Sequence, residues 1–277
     1  MSDNASNLRN ARQLIQQKYP NIESIRCIAY AINLIACDIV KESFGDHLLK
    51  KVNILASFFK NSHQAGARLA QLIKEYEVGG GGIKMYCKTR WTTAEESTNS
   101  IIRLESVLED IVARESSLLN DKVKRILQSR NFFSDLRILS FVLEPLKKAI
   151  LALESRSVTL GDCFLGLVRL SAVFKKLPKT FNQNFRNHCI SVMNERFNEF
   201  DDDKYLTYFF LDPRFRSQAL TKNAYSRVMR CTTMIGKRLG FDLEESRTLC
   251  AQIKDYIELK EPFDLDVACA LDDPLNW

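Results

Sequence analysis

NIESIRCIAYAINLIACDIVKES occupies residues 21–43, and its two parts read differently. NIESIRCIA (21–29) alternates apolar and polar side chains over a short span, the period of a half-buried strand. AYAINLIACDIVKES (29–43) is nearly all apolar and reads as a buried helix, closed near Gly45. Upstream, Ser2 or Asp3 can cap a helix from about 5 to 18, which Pro20 stops. The first 45 residues therefore predict helix, strand, helix, with Asp3 just ahead of the first helix.

Beyond Gly45 the strand signals nearly vanish. Helical periodicity predicts helices over about 47–61, 63–77, 120–130, 132–154, 159–177, 180–200, 217–239 and 242–260, with a kink at Pro145. Thr92 and Thr93, with Glu95 and Glu96 three residues on, form two overlapping capping boxes. They open a helix to about 114 that lines Ile101, Leu104, Leu108 and Ile111 along one face. GGGG (79–82) breaks the chain, and IKMYC (83–87) is a candidate extended piece. No G-K-[ST] follows the glycines, so they mark flexibility and not a phosphate loop. No internal period of repeat length is present. The expectation is a mainly α protein.

With 277 residues, 45% hydrophobic and 27% charged, the chain can bury a substantial core. No stretch approaches the roughly 20 apolar residues that span a bilayer, so no membrane partner is expected. The first residues lack the pattern of a signal peptide, so retention inside the cell is expected. The eight cysteines are scattered with no C-x-x-C, which points to buried reduced thiols and not a zinc cage.

The net charge of +6 is uneven. Segment 261–277 holds Glu261, Asp264, Asp266, Asp272 and Asp273 and no Lys or Arg. The remainder carries 40 basic against 34 − 5 = 29 acidic residues, or +11. Residues 163–194 contain five basic residues and no acid, and 204–238 contain eight basic residues against Asp212. Such blocks can neutralise phosphates or simply form solvated helical faces.

Histidine chemistry has little support: His47, His63 and His188 each stand alone in a helical pattern, and no G-x-S-x-G occurs. Carboxylates remain. Two-metal nucleases and polynucleotidyl transferases hold divalent ions between acidic side chains at strand and helix ends, and Asp3 is compatible with that position as well as with a cap.

Five segments together carry a resemblance. SDNASNLRNA (2–11) resembles the T/S-D-N-A-x-N-M/L segment of hAT-superfamily DNA transposases. CIAYAINLIACD (27–38) resembles their C-x-x-H-x-L-N-L-x-x-x-D segment, KTRWTT (88–93) their T-R-W-N/T-S motif, and YFFLDPRFR (208–216) their L-D-P-R-Y/F-K motif. DDPLNW (272–277) resembles the start of their D-P-L-x-W-W dimerisation segment. The five follow family order from end to end.

The resemblance implies a partial ribonuclease-H-like α/β core over 1–45, a large all-helical insertion domain over 46–260, and over 261–277 the start of the dimerisation segment. It also implies a nuclear DNA transposase whose D-D-E triad holds Mg²⁺ or Mn²⁺. Asp3 matches the second aspartate and would be a metal ligand. Arg90 and Trp91 match the pair that acts on the DNA end, Arg as a forked cation for phosphate and Trp as a stacking face. Core packing for Trp91 and a surface role for Arg90 is the competing reading. Tyr30 stands where the family has His, so it would meet DNA by stacking or donation. The first aspartate and the glutamate have no match here. The expectation is therefore a fragment or decayed copy, inactive alone, with transposon-end DNA and self-association as its partners. A host-retained helical protein-interaction scaffold without DNA function is the alternative.

Overall fold

The computed structural model describes residues 6–87, 92–155, 157–199, 202–216 and 220–264. They form α1 (Ser6–Lys18), α2 (Ile28–Lys41), α3 (Ser43–Asn61), α4 (His63–Glu75), α5 (Thr93–Arg103), α6 (Glu105–Arg114) and α7 (Asp121–Leu127). The chain continues through α8 (Phe132–Leu153), α9 (Leu160–Lys175), α10 (Gln183–Glu199), α11 (Asp203–Leu211), α12 (Lys222–Arg238) and α13 (Leu243–Glu258). A 3₁₀ turn, Ser116–Leu118, separates α6 from α7. The protein is mainly α, and no described helix is long and apolar enough to cross a membrane. Two compact units result. One comprises residues 1–31, 152–171 and 195–277, the other 32–151 and 172–194.

Within the second unit, α3 packs on α4, α5 and α7, and α6 on α4, α5 and α7. Its helices begin where side chains can satisfy orphan amides. Glu42 accepts from Phe44 N at 2.7 Å to open α3, Ser62 caps α4, and Asn120 accepts from Val123 N at 2.9 Å to open α7. Gly45 does not end a helix. It lies buried inside α3, where a Cβ would stand 3.1 Å from Val40 Cα, so the corner after α2 needs glycine. The stripe Ile101, Leu104, Leu108 and Ile111 is fully buried as its spacing predicts. The helix carrying it is nevertheless broken at Leu104, whose N–H turns back to Ile101 O at 3.1 Å. α8 runs continuously through Pro145.

The two capping boxes expected at Thr92 and Thr93 do not form. Thr92 makes no side-chain cap bond, and Thr93 Oγ1 instead accepts from Cys87 N and donates to Cys87 O, both at 3.0 Å. Glu95 is buried against Lys147 Nζ at 2.6 Å, and Glu96 reaches Lys84 and Lys147. Charged partners outcompete a neutral backbone amide for these carboxylates. In turn 83–87 is extended but unpaired as a strand: Lys84 N donates to Ser100 Oγ and Tyr86 N to Asn53 Oδ1, each at 2.9 Å.

In the first unit, α12 packs on α11 and α13. Leu206, Phe210, Val228, Ile253 and Tyr256 form its core, with Phe164, Tyr225, Leu249 and Phe263 around them. The strand predicted over 21–29 is absent. α2 already begins at Ile28, and Arg26 is an isolated bridge residue; among the described residues there is no strand. The carbonyls that a ladder would use are taken by side chains of α11: Lys204 Nζ donates to Ser24 O at 3.1 Å, and the Tyr205 hydroxyl donates to Arg26 O. An extended segment whose carbonyls are satisfied in this way needs no sheet.

Candidate functional site

Asp3, Arg90 and Trp91 lie outside the described residues, as does DDPLNW. Tyr30 stands half-buried in the first turn of α2. Arg90 and Trp91 are flanked by the Cys87–Thr93 pairing described above. Of the four proposed site residues, Tyr30 is therefore the one among the described residues.

The L-D-P-R-F segment is placed in full, and it builds the most connected polar cluster of the first unit. Asp212 ends α11 and is almost completely buried. Arg214 wraps back onto it, donating from Nε to Asp212 Oδ1 at 2.9 Å and from Nη2 to Oδ2 at 2.7 Å. The same Nη2 reaches Asp162 Oδ2 and Thr159 Oγ1, both at 2.9 Å. Thr159 and Asp162 cap the start of α9 reciprocally: Thr159 N donates to Asp162 Oδ2 at 2.9 Å, and Asp162 N to Thr159 Oγ1 at 3.2 Å. Phe215 lies 5.1 Å under the guanidinium and stacks on Phe209 at 4.9 Å. Gly161 makes the junction possible, because a Cβ there would stand 2.9 Å from Asp212 Oδ2.

The electrostatics follow from this wiring. Hydrogen bonding to Asp212 pushes the Arg214 guanidinium still further above its ordinary range. Burial raises the Asp162 carboxyl, but bonds from Thr159 and Arg214 outweigh it and hold the group below the usual carboxylate range. All described bonds of Arg214 are internal, so it joins α9 to α11 and is not presented to a phosphate.

A cavity of about 560 Å³ opens in the same unit, lined by Arg26, Asp203, Lys204, Cys231, Met234 and Arg238 among others. Carboxylates hold several of the cations in and around it. Glu23 holds Lys204 at 2.9 Å and also Arg238. Asp203 holds Arg227 at 2.6 Å and Arg230 at 3.3 Å. At least five of the eight cations of 204–238 are therefore neutralised by carboxylates among the described residues. Glu23, Asp162 and Asp203 escaped the sequence reading because their partners lie far along the chain. Among the described residues no group of three His, Cys, Asp or Glu side chains could hold a metal ion. Comparison with family models, curated proteins and solved structures finds no match. The functional reading consequently rests on residues and geometry.

The expectation of buried thiols holds for three of the seven described cysteines; Cys87 is exposed, and Cys27, Cys37 and Cys250 are half-buried. Cys163, Cys189 and Cys231 are buried, and burial pushes the first two up to about 12.

Proposed function

We propose that this chain is a segment of a hAT-type, ribonuclease-H-like DNA transposase that handles transposon-end DNA in the nucleus. The observation carrying this reading is the five motifs in family order, from SDNASNLRNA to DDPLNW. The mainly α architecture is compatible with the large helical insertion of that family. The cluster around Arg214 supplies a physical reason for an L-D-P-R-F string: each polar side chain of Asp212 and Arg214 is used to join two helix ends. Arg90 and Trp91 would hold the DNA end, with Tyr30 beside it by resemblance. Mg²⁺ or Mn²⁺ would activate water or a hydroxyl in the complete site. Asp3 is the one triad member matched here, and a single carboxylate does not hold two divalent ions. The chain by itself is therefore expected to bind DNA without cutting it.

The test combines binding and cleavage on hairpin-ended DNA. The wild-type chain should leave strands intact with either metal. Arg90→Ala/Trp91→Ala should weaken binding to the hairpin end about tenfold, the order expected for loss of one stacked base and a phosphate contact. Nicking abolished by Asp3→Asn would show an active site complete in this chain. Unchanged binding by the double variant would remove the DNA-end role. It would favour the helical scaffold, which the internal pairing of the 204–238 cations already supports.

A further inference from the structure

In the second unit a groove of about 460 Å³ runs between the end of α3, one face of α4 and residues 81–85. Its lining is mostly apolar and includes Phe59, Leu69, Ile73, Ile83 and Met85. Gly66 forms part of it, and a Cβ there would stand 2.6 Å from Phe59 O. Glycine therefore lets α3 and α4 approach more closely than side-chain-bearing positions allow.

The opposite wall is fixed without any occupant. Arg103 of α5 donates to the carbonyls of Gly79 and Gly80, at 3.1 Å for the latter. Gly80 has φ +87°, and a Cβ on it would collide with that guanidinium. Lys84 N and Tyr86 N are held by Ser100 and Asn53, as described above. Four glycines in a row, which alone would signal a loose linker, are here part of a preformed edge. Met85 on that edge remains 45% exposed, so apolar surface is left facing solvent.

Two cations mark the groove. Lys60 and Lys74 both line it, and neither has an ion-pair partner among the described residues. Nearby cations differ: Arg68 is held by Glu115 at 2.6 Å and Lys84 by Glu96 at 3.3 Å. Lys60 stands just before the Ser62 turn, and Lys74 lies in the last turn of α4. The two lysines therefore stand toward opposite ends of α4.

We infer that this groove binds an acidic amphipathic helical segment of a partner protein. Apolar side chains at i, i+3, i+4 and i+7 enter the groove, and carboxylates at the two ends of the segment meet Lys60 and Lys74. The two separated cations decide between occupants. An acyl chain brings one carboxylate and satisfies one lysine, whereas a two-turn peptide carries acids at both ends. The inference does not depend on a DNA function.

The probe is a fluorescein-labelled peptide of about 14 residues with Leu at those four positions and Glu at both ends. A second peptide carries Lys in place of Glu. Anisotropy with the full chain should show micromolar binding of the Glu peptide and none of the Lys peptide. Lys60→Glu/Lys74→Glu should weaken the Glu peptide at least about tenfold and restore binding of the Lys peptide. Met85→Asp, on the exposed edge, should weaken both pairings with the far-ultraviolet dichroism unchanged. Equal binding of the two peptides by wild type, no binding up to about 1 mM, or failure of the charge swap to restore binding would overturn the proposal. So would binding of dodecanoate where the Glu peptide fails.

Discussion

Tyr256 shows how one atom can set the worth of a core residue. Its ring sits edge-on to Phe210 at 5.4 Å and Phe263 at 5.5 Å, in the core of the first unit. Among the described residues its buried hydroxyl has no hydrogen-bond partner, and burial pushes its pKa up to about 12. A buried unsatisfied polar group costs about 1–3 kcal/mol, while the ring contributes favourable packing. Tyr256→Phe keeps the ring and removes the cost, so it should stabilise the protein by about 1 kcal/mol. Urea unfolding decides it, and a loss of that size would mean that the hydroxyl has a favourable role. Sequence could place Tyr256 on the apolar face of a helix through its spacing from Ile253. It could not show whether the hydroxyl would find a partner, because that depends on α11 and residues 212–216, some forty positions earlier.

Helix ends, more than helix middles, determine how the first unit is joined. α9 starts and α11 stops at the same cluster, and Asp162 serves both as a cap and as a partner of Arg214. Its folded-state pKa is depressed, so its contribution is fully present above the ordinary carboxylate value of about 4 and is lost as pH falls through the lower folded value. Asp162→Asn should therefore cost about 1–2 kcal/mol at neutral pH, discounted for partial exposure. It should also flatten the loss of stability below pH ~4, as read from melting temperature against pH. A variant with the wild-type acid slope would remove Asp162 from the linkage. Helix middles were legible because a 3.6-residue period repeats locally, as α3, α4, α8 and α13 show. The segment 21–27 was misread because alternation alone does not provide a strand with a neighbour. α11 was missed because its aromatic run, YLTYFFL, has no single apolar stripe.

Over the whole chain, charge counted along the sequence and charge available to a partner are different quantities. The 204–238 block has eight cations, yet carboxylates occupy Lys204, Arg214, Arg227, Arg230 and Arg238. Few remain to displace counterions from DNA. The contribution of this block to the slope of log affinity against log salt on duplex DNA should consequently be no steeper than about −3, against roughly −7 if all eight met phosphates. A gel-shift series across salt concentrations checks this, and a slope near −7 would show that the pairs open on binding. This pairing was not legible in the sequence, since Glu23 and Arg238 are 215 positions apart (238 − 23). The burial of the thiols also has a practical result. Cys163, Cys189 and Cys231 are shielded, whereas Cys87 is exposed and immediately precedes Lys88, Thr89, Arg90 and Trp91. With the half-buried Cys27, Cys37 and Cys250 and also Cys269 replaced, brief treatment with a maleimide dye places a fluorophore beside Trp91 before the shielded sulfurs react, so that a ligand arriving there is read as a change of colour or lifetime.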